Sequence, residues 1–543
     1  MNARLYKRGS IREQGQLLPP CVEDYVTPSN PVRAIEAYVE SLDLEELGFT
    51  NSQGGISKGQ PAYCPSDLLK LYLYGYLNRI RSSRRLEQET YRNLEVMWLL
   101  RGLHPCYKTI ADFRKNNLVA IQLVNKDFVL LCKELDLYGG ELVGIDGSFF
   151  IGNAGKGSIY TANRIKKQLE RIEADISHYL QEMEDNDREP QGEAGEDAHL
   201  REKLAKLQER QKGCQDKLNQ LKESGQTQLS STDADARLLS KRGQTIAGYN
   251  VQSAVDDKHK LLVDCEVVND GNDMQQLFPM AKKAKEILEA ERLEVVADSG
   301  YYSQSHLKDC HEEGITPYVP IPNKSSSSSM TGRFGRQDFK FDEERDAYQC
   351  PAGKYLEKQS RQRKGGKDIF KYKSKSIACK GCQLRKKCLP EKTPYRQIYR
   401  YEHEEVIEAH QKRMRQKGRT YMKKRASLVE HPFGTFKLWC GWTHFLMKGL
   451  KKVRAEMSLL MLSYNFKRVL NIIGMDTFRE YCLQRRSRVS VQDTDYSDLI
   501  LLFIHWMAMI YLHLNRFKTN LRQKKTPRLG IRGRVTRLSF GTT

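Results

Sequence analysis

The chain has 543 residues, of which 39% are hydrophobic, and its formal net charge is +22. This length is too great for one compact core, so two or more domains are expected. The positive charge is concentrated: residues 411–425 contain eight lysines and arginines, residues 515–543 contain nine, and neither stretch contains an acidic residue. Such stretches favour nucleic acid over a small acidic substrate, because neutralising several phosphates requires several cations within reach. A solvated basic surface without a partner is the alternative.

The first residues and the cysteines bear on where the protein works. Residues 1–8 contain no apolar core of signal-peptide length, and thirteen cysteines without such a signal suggest a reducing compartment. The apolar run Leu499–Leu514 covers 16 residues, whereas about 20 are needed to span a bilayer. We therefore expect a cytoplasmic protein with no membrane-spanning segment.

The N-terminal region is predicted to be helical. Apolar residues recur every three or four positions from Pro31 to about Asn117. Within this region Arg79, Arg81 and Arg84 flank a predicted helix start. Arginines in that setting often contact phosphates, so all three are candidate DNA-binding residues. An exposed polar turn is the alternative interpretation.

Two heptad patterns follow, one from Ile165 to Met183 and one from Leu200 to Leu221, separated by a polar linker. They predict a helical hairpin over residues 161–224 that folds back on itself. The alternative is that two chains dimerise through this hairpin.

Strand-like runs surround the hairpin. Apolar runs end at Asp146 and Asp298, and strand and helix patterns between and after them give three strands, a helix, a strand, a helix and a strand. Ribonuclease H-like domains have this order. The expected fold class is α/β: an RNase H-like mixed-sheet core with a helical N-terminal domain, a heptad hairpin insertion and a cysteine-rich insertion.

The expected domains follow from these patterns. They are a helical DNA-binding region (1–135), the first part of the core (138–324), a cysteine-rich insertion (325–400), the helical end of the core (401–480) and a basic C-terminal tail (481–543).

Four cysteines fall in one short polar segment: Cys350, Cys379, Cys382 and Cys388. Four thiolates form a plausible tetrahedral structural zinc site in a unit that has few apolar residues to fold by packing alone. Cysteines without a metal, or with a redox role, are the alternative. A catalytic zinc is disfavoured, because four cysteines leave no open coordination position.

Three separated carboxylates indicate divalent-metal chemistry: Asp146, Asp298 and Glu430, the last after a basic helical stretch. Carboxylates are the ligands that Mg²⁺ prefers, and two metal ions can promote phosphoryl transfer. An aspartate before glycine or serine is often only a turn residue. We interpret Asp270 and Asp273 as caps of the helix that carries Leu277.

With these residues in place, the chain resembles the DDE transposases of bacterial insertion sequences. The motifs that carry the resemblance are Ile145 to Ser148, Gly248 to Gln252, Ala297 to Tyr301, the set Arg425, Glu430 and Lys437, and Leu73 to Leu77 through Arg114. The resemblance spans roughly residues 15–470 and leaves out the segment after about residue 485.

The resemblance implies that Asp146, Asp298 and Glu430 bind two Mg²⁺ ions, with Mn²⁺ as an alternative. Arg425 and Lys437 would position DNA phosphates. Related enzymes have Tyr-x-x-Arg-x-x-x-Glu with a lysine seven places after the glutamate. Lys437 keeps that spacing, but Arg425 stands one residue early and Tyr421 is out of register.

The implied function is metal-dependent strand cleavage at element ends and strand transfer into target DNA. The implied partner is double-stranded DNA, bound by a homodimer in the nucleoid. Two other classes stay open: an RNase H-like nuclease without strand transfer, and a catalytically inactive DNA-binding protein.

Overall fold

The structure, a computed structural model, describes residues 21–52, 61–188, 194–241, 243–322, 333–364 and 367–492. The apolar run Leu499–Leu514 and the basic stretch 515–543 lie outside these ranges. Within them, no helix is long and apolar enough to cross a membrane.

The N-terminal part is helical, as its apolar periodicity predicts. Its helices are α1 (Pro31–Glu40), α2 (Pro65–Leu77), α3 (Ser83–Arg92), α4 (Leu94–Leu99), α5 (Tyr107–Asn116) and α6 (Leu118–Glu134). Helix α2 begins with Pro65, whose missing amide hydrogen costs nothing at a first helical position. It is buried on all sides, including Lys70, whose ammonium lies 2.7 Å from Glu40 Oε1. A buried lysine needs such a carboxylate partner.

A mixed sheet and a helical hairpin follow. The elements are β1 (Leu142–Ile151), β2 (Ile159–Thr161), α7 (Ala162–Arg188), α8 (Ala194–Ser224), β3 (Gln228–Ser230), β4 (Arg237–Lys241), β5 (Gln244–Asp256), β6 (Leu262–Val268), α9 (Leu277–Leu288), β7 (Leu293–Val296), α10 (Gln304–Glu312) and β8 (Ile315–Tyr318). Helices α7 and α8 pack on each other through their own apolar cluster, and β2 pairs with β3 beside them.

Strand β1 is central in the sheet. It pairs antiparallel with β5 and parallel with β7, and β7 pairs parallel with β8. Along its other edge, β5 pairs antiparallel with β4 and then β6. The predicted succession of strands and helices is therefore confirmed, with β4 as an additional strand that was not predicted. Because Gly144 pairs with Val296, the residues two places further along each chain segment, Asp146 and Asp298, lie side by side.

The prediction that Asp146 ends its strand is wrong. Strand β1 continues to Ile151 because residues 147–151 pair with residues 248–252 of β5. Ile151 also exchanges backbone hydrogen bonds of 2.9 Å with Thr443 and Phe445. Asp146 thus lies in mid-strand, paired with Ser253 of β5, which fixes its backbone more firmly than a strand end would.

The last third of the chain adds a second sheet and long helices. The elements are β9 (Lys340–Asp342), β10 (Ala347–Gln349), β11 (Tyr355–Lys364), β12 (Lys367–Ser374), α11 (Ser376–Lys380), α12 (Arg385–Cys388), β13 (Gln397–Tyr401), α13 (Glu404–Gly434), a π-helical turn (Thr435–Trp439), α14 (Leu450–Ile473) and α15 (Met475–Gln492). Strands β9 to β13 form the second sheet around a separate apolar cluster.

Helix α13 lies directly on strand β1. A Cβ atom at Gly144 would stand 2.7 Å from Val429 and 2.8 Å from Leu428. The missing side chain therefore lets the helix approach the strand that carries Asp146.

Helix α14 is anchored to the sheet by buried polar contacts. The Asn465 side chain accepts from the Leu262 amide (2.9 Å) and donates to the Leu262 carbonyl (2.8 Å). At its start, Asp233 accepts from the Gly449 amide (3.0 Å) and Asp235 from the Leu450 amide (2.8 Å). One apolar core joins the N-terminal helices, the first sheet, α13, α14 and α15.

Candidate active site

Asp146 and Asp298 both lie beside the guanidinium of Arg425. The Arg425 guanidinium lies 3.0 Å from Asp146 Oδ1 and 3.9 Å from Asp298 Oδ2. Asp298 also accepts a hydrogen bond from the Gly300 amide at 2.7 Å, which caps the short 3₁₀ turn Ser299–Tyr301. The two carboxylates that the sequence places at neighbouring strands are therefore neighbours in the fold, and both stay partly exposed, at 18% and 34%.

Lys437 lies on the same side of β1 as Asp146. Its ammonium donates to Ser148 Oγ (2.6 Å) and to the Phe149 carbonyl (2.7 Å). Side chains alternate along a strand, so Ser148 and Asp146 point to one face. Lys437 belongs to the π-helical turn that extends α13, and such turns frequently occur at functional sites. Both predicted basic residues thus reach the strand that carries the first aspartate.

Glu430 is not brought to the aspartates. It follows Arg425 by five residues, which places it about 140° around the helix from Arg425. Its side chain is exposed, whereas the preceding Val429 is buried against β1. Across the part of the chain that the structure describes, no three histidine, cysteine or acidic side chains are arranged to hold a metal ion.

The aspartate pair itself fits a divalent cation. Two carboxylates side by side repel each other, and each has hard oxygen donors of the type that Mg²⁺ binds. The guanidinium of Arg425 lies beside both, so it is a stand-in cation that compensates their charge.

Asp273 is not the helix cap that the sequence suggests. Helix α9 begins after Gln276 without a side-chain cap. Asp273 Oδ1 instead accepts from Asn250 Nδ2 and from Gln252 Nε2, both at 2.8 Å. A signal for this was present: buried strands rarely contain two alternating amide residues, and Asn250 and Gln252 require a polar partner.

The three N-terminal arginines have different surroundings. Arg81 is buried, donates to the His444 carbonyl (2.8 Å) and lies 3.5 Å from the buried Glu456. It is therefore committed to holding the helical region against the core, and its burial leaves no structural support for DNA contact. Arg79 and Arg84 are exposed, and the Arg79 guanidinium lies 3.6 Å from the centre of the Trp439 ring.

Trp439 borders a cavity of about 230 Å³ between α2, the π-helical turn and α14. The Lys467 ammonium lies 3.9 Å from the centre of the same ring, and Arg468 also lines the cavity. Among the described residues, no carboxylate forms an ion pair with Arg79 or Lys467. Burial lowers the pKa of Lys467, and Arg79 adds to this effect. The cavity is therefore rimmed by uncompensated positive charge.

The four cysteines of the second-sheet region line one small cavity. Burial raises the pKa of the Cys388 thiol, and Cys379, Cys350 and Cys382 act in the same direction against Arg396. Cys379 Sγ lies 3.1 Å from Ser374 Oγ. The four predicted thiols thus line one cavity, although no three of them are arranged to hold a metal ion in the described structure.

Two family models match the chain. The model described as "Transposase domain (DUF772)" matches residues 20–116, and the model described as "Transposase DDE domain" matches residues 224–466. Together they match more than half of the chain. Asp298 and Glu430 lie in the second range, and Asp146 lies between the two ranges.

No curated protein matches the chain. Among solved structures the chain is similar to the "Cryo-EM structure of piggyBac transposase synaptic complex with hairpin DNA", at 9% identity and a TM-score of 0.31, covering 84% of this chain and 79% of that one. A similarity this weak adds nothing to the assignment, which depends on the two family models. The chain is a DNA transposase and belongs to the DDE transposases of the insertion-sequence type.

Proposed function

We propose that Asp146, Asp298 and Glu430 are the catalytic carboxylates of this transposase and hold two Mg²⁺ ions, or Mn²⁺ in their place. The adjacency of Asp146 and Asp298 beside one guanidinium carries the proposal for the aspartates. Glu430 depends on its motif: it lies on the helix that covers β1, seven residues before Lys437. When bound, the ions would polarise the scissile phosphate and activate the attacking oxygen.

Arg425 and Lys437 are proposed to bind the DNA backbone at this site. Without DNA, Arg425 balances the negative charge of Asp146 and Asp298, whose carboxylates would otherwise repel each other. Both side chains reach β1 beside Asp146, so a phosphate placed over the aspartates would lie within reach of two cations. The same site would serve cleavage at element ends and joining to target DNA.

The exposed face of α13 supports this placement of DNA. Lys412, Arg415, Lys417, Arg419 and Lys423 are exposed along α13, on the N-terminal side of the Arg425 that contacts the aspartates. Several cations on one helix can neutralise several phosphates of a duplex that lies along it. We propose that the duplex follows this helix towards the active site.

Arg79 is proposed to contact a phosphate next to the Trp439 cavity. Replacing Arg79 by alanine is expected to weaken binding to duplex DNA of any sequence, and to reduce the slope of log Kd against log salt concentration by about 1. Fluorescence anisotropy titrations at several salt concentrations measure both quantities.

Arg101→Ala is the matched control for Arg79→Ala. Arg101 is also an exposed arginine of the helical region with positive φ (52° against 63° for Arg79), but it pairs with Asp67. The control is expected to leave the salt slope unchanged. An Arg79→Ala slope equal to that of the unmodified protein would remove Arg79 from the DNA interface.

We also propose that Cys350, Cys379, Cys382 and Cys388 bind a structural zinc ion. The support is that all four line one cavity in a region whose apolar cluster is small. Elemental analysis of the full-length protein is expected to find about one zinc ion per chain. Cys382→Ser should lose it and lower the melting temperature, whereas Cys106→Ser, an exposed cysteine elsewhere, should keep it. Zinc-free wild-type protein, purified without chelators, would contradict the proposal.

The fold is proposed to be RNase H-like, because β6, β5 and β1 are antiparallel neighbours and β7 and β8 continue the sheet parallel to β1, with β4 as an extra strand on the edge of β5. In this view, α7 with α8 and the second sheet are insertions into the core. Cutting at two element ends also leads us to propose a homodimer on DNA.

A further inference from the structure

Strand β5 carries two amide side chains that are completely buried. Asn250 and Gln252 have no exposed surface, and they alternate along the strand, so they point to the same face. In the register with β1, Gln252 lies opposite Gly147 and Asn250 lies opposite Phe149. This face is opposite to the one on which Asp146 meets Arg425, because Asp146 and Gly147 are consecutive.

Asp273 gathers these amides. Its Oδ1 accepts hydrogen bonds of 2.8 Å from both side chains, and Asp273 is 8% exposed. A buried carboxylate is stable only when donors compensate its charge, and bonds to a charged acceptor are stronger than neutral ones. The loop between β6 and α9 is thereby fixed to β5 through Asp273.

Tyr301 connects this network to the second catalytic aspartate. The buried Tyr301 hydroxyl donates to Gln252 Oε1. Tyr301 is the last residue of the 3₁₀ turn that Asp298 caps through the Gly300 amide. Burial raises the pKa of Tyr301, and the charges of Asp273, Asp146 and Asp298 act in the same direction. The hydroxyl therefore stays protonated and acts as a hydrogen-bond donor.

Gly147 leaves the space that the network needs. A Cβ atom there would lie 2.5 Å from Gln252 Nε2, 2.7 Å from Asp273 Oδ1 and 3.0 Å from the Tyr301 hydroxyl. Because the position after Asp146 has no side chain, the network packs directly against the backbone that carries the first aspartate.

We propose that Asp273 is a positioning residue: through Gln252 and Tyr301 it fixes the turn that carries Asp298, and so sets the separation of Asp298 from Asp146. This inference rests on the proposed function of the two aspartates. Asp273 Oδ1 is occupied by two amide donors, and the network packs on the opposite face of β1 from the Asp146 side chain, so Asp273 acts through its neighbours. Partners that orient metal ligands typically affect metal affinity by about 10- to 100-fold.

Tyr301→Phe tests the network by removing a single oxygen. The matched control is Tyr249→Phe, which removes the same atom from another buried tyrosine: the Tyr249 hydroxyl of β5 donates to Asp233 at 2.7 Å, and Asp233 accepts from the Gly449 amide before α14. Both variants lose one hydroxyl-to-acceptor bond, so both are expected to lower the melting temperature. Only Tyr301→Phe should loosen the Asp298 turn.

Two measurements distinguish a role in positioning Asp298 from a general effect on stability. Calorimetric titration of Mn²⁺ into the full-length protein gives metal affinity directly. The Mg²⁺ concentration for half-maximal cleavage of a plasmid carrying the DNA that flanks the coding region gives a second value. Tyr301→Phe is expected to weaken both by about tenfold or more, and Tyr249→Phe to leave both at the wild-type value. Asp273→Asn keeps an acceptor oxygen but loses the charge, so its metal affinity should lie between those of the wild type and Tyr301→Phe. If Tyr301→Phe does not fold, Asp273→Asn is the variant that tests the inference.

Wild-type metal dependence in folded Tyr301→Phe, or in Asp273→Asn when Tyr301→Phe is unfolded, overturns the inference. The proposed function fails separately: Asp146→Asn that still binds Mn²⁺ and cleaves as the wild type does would remove the aspartate site, whatever Tyr301→Phe shows.

Discussion

Asparagine at position 146 or 298 is expected to abolish DNA cleavage while leaving DNA binding nearly intact. Asparagine keeps the shape of aspartate but lacks the negative charge that holds a divalent ion next to Arg425. Removing one preorganised electrostatic group from an active site typically slows the reaction by about 100- to 1,000-fold. Glu430→Gln is expected to have the same effect. The cleavage rate of a supercoiled plasmid that carries the flanking DNA, measured in Mg²⁺, checks each variant.

Two other carboxylates are controls for these variants. Asp257 lies 3.6 Å from Lys424, the residue before Arg425, and Glu408 lies on the same helix as Glu430, paired with Arg400. Asp257→Asn and Glu408→Gln should cleave at close to the wild-type rate. A variant of Asp146, Asp298 or Glu430 that does so would remove that residue from the mechanism.

Folding is expected to survive these substitutions. Asp146 and Asp298 repel each other, so replacing one removes repulsion as well as its attraction to Arg425. Both side chains are partly exposed, which limits the contribution of the ion pair to stability. Melting temperatures close to that of the wild type would show that a loss of cleavage is a loss of chemistry.

The order of strands in the sheet could be predicted because it depends on local sequence patterns. Apolar runs of strand length, and helical periodicity between them, define the order of elements, and the order restricts the pairing to few topologies. The order of elements therefore predicts that Asp146 and Asp298 lie on adjacent strands. The extent of β1 beyond Asp146 was not predictable in the same way, because it depends on Thr443 and Phe445 far along the chain.

The missed features depend on distant partners. Its position near a helix start made Arg81 a reasonable phosphate ligand. In the fold, however, Arg81 is buried beside Glu456, which is 375 residues away in the chain. Asp273 resembled a helix cap because serines, aspartates and asparagines often precede helices. Its true partners lie on β5, and only strand register places them within hydrogen-bonding distance.

Glu430 shows the limit of motif spacing. The seven-residue interval to Lys437 selects it among many helical glutamates, but the direction of a side chain depends on the rotation of the helix about its axis. Here Leu428 and Val429 face the sheet at Gly144, and Glu430 is exposed. Its role in metal binding therefore stays a proposal.

The most direct test of metal binding at the aspartate pair is a change of metal preference in Asp298→Cys. A thiolate is a softer ligand than a carboxylate, so it binds Mg²⁺ poorly and Mn²⁺ more readily. The quantity to measure is the ratio of the plasmid cleavage rate in Mn²⁺ to that in Mg²⁺, for the wild type, Asp298→Cys and the control Asp257→Cys. We predict that Asp298→Cys is inactive in Mg²⁺ and regains cleavage in Mn²⁺, so that its ratio exceeds both others by at least about tenfold. An Asp298→Cys protein that cleaves with the wild-type ratio, or that stays inactive in both ions, would contradict the assignment of Asp298 as a metal ligand.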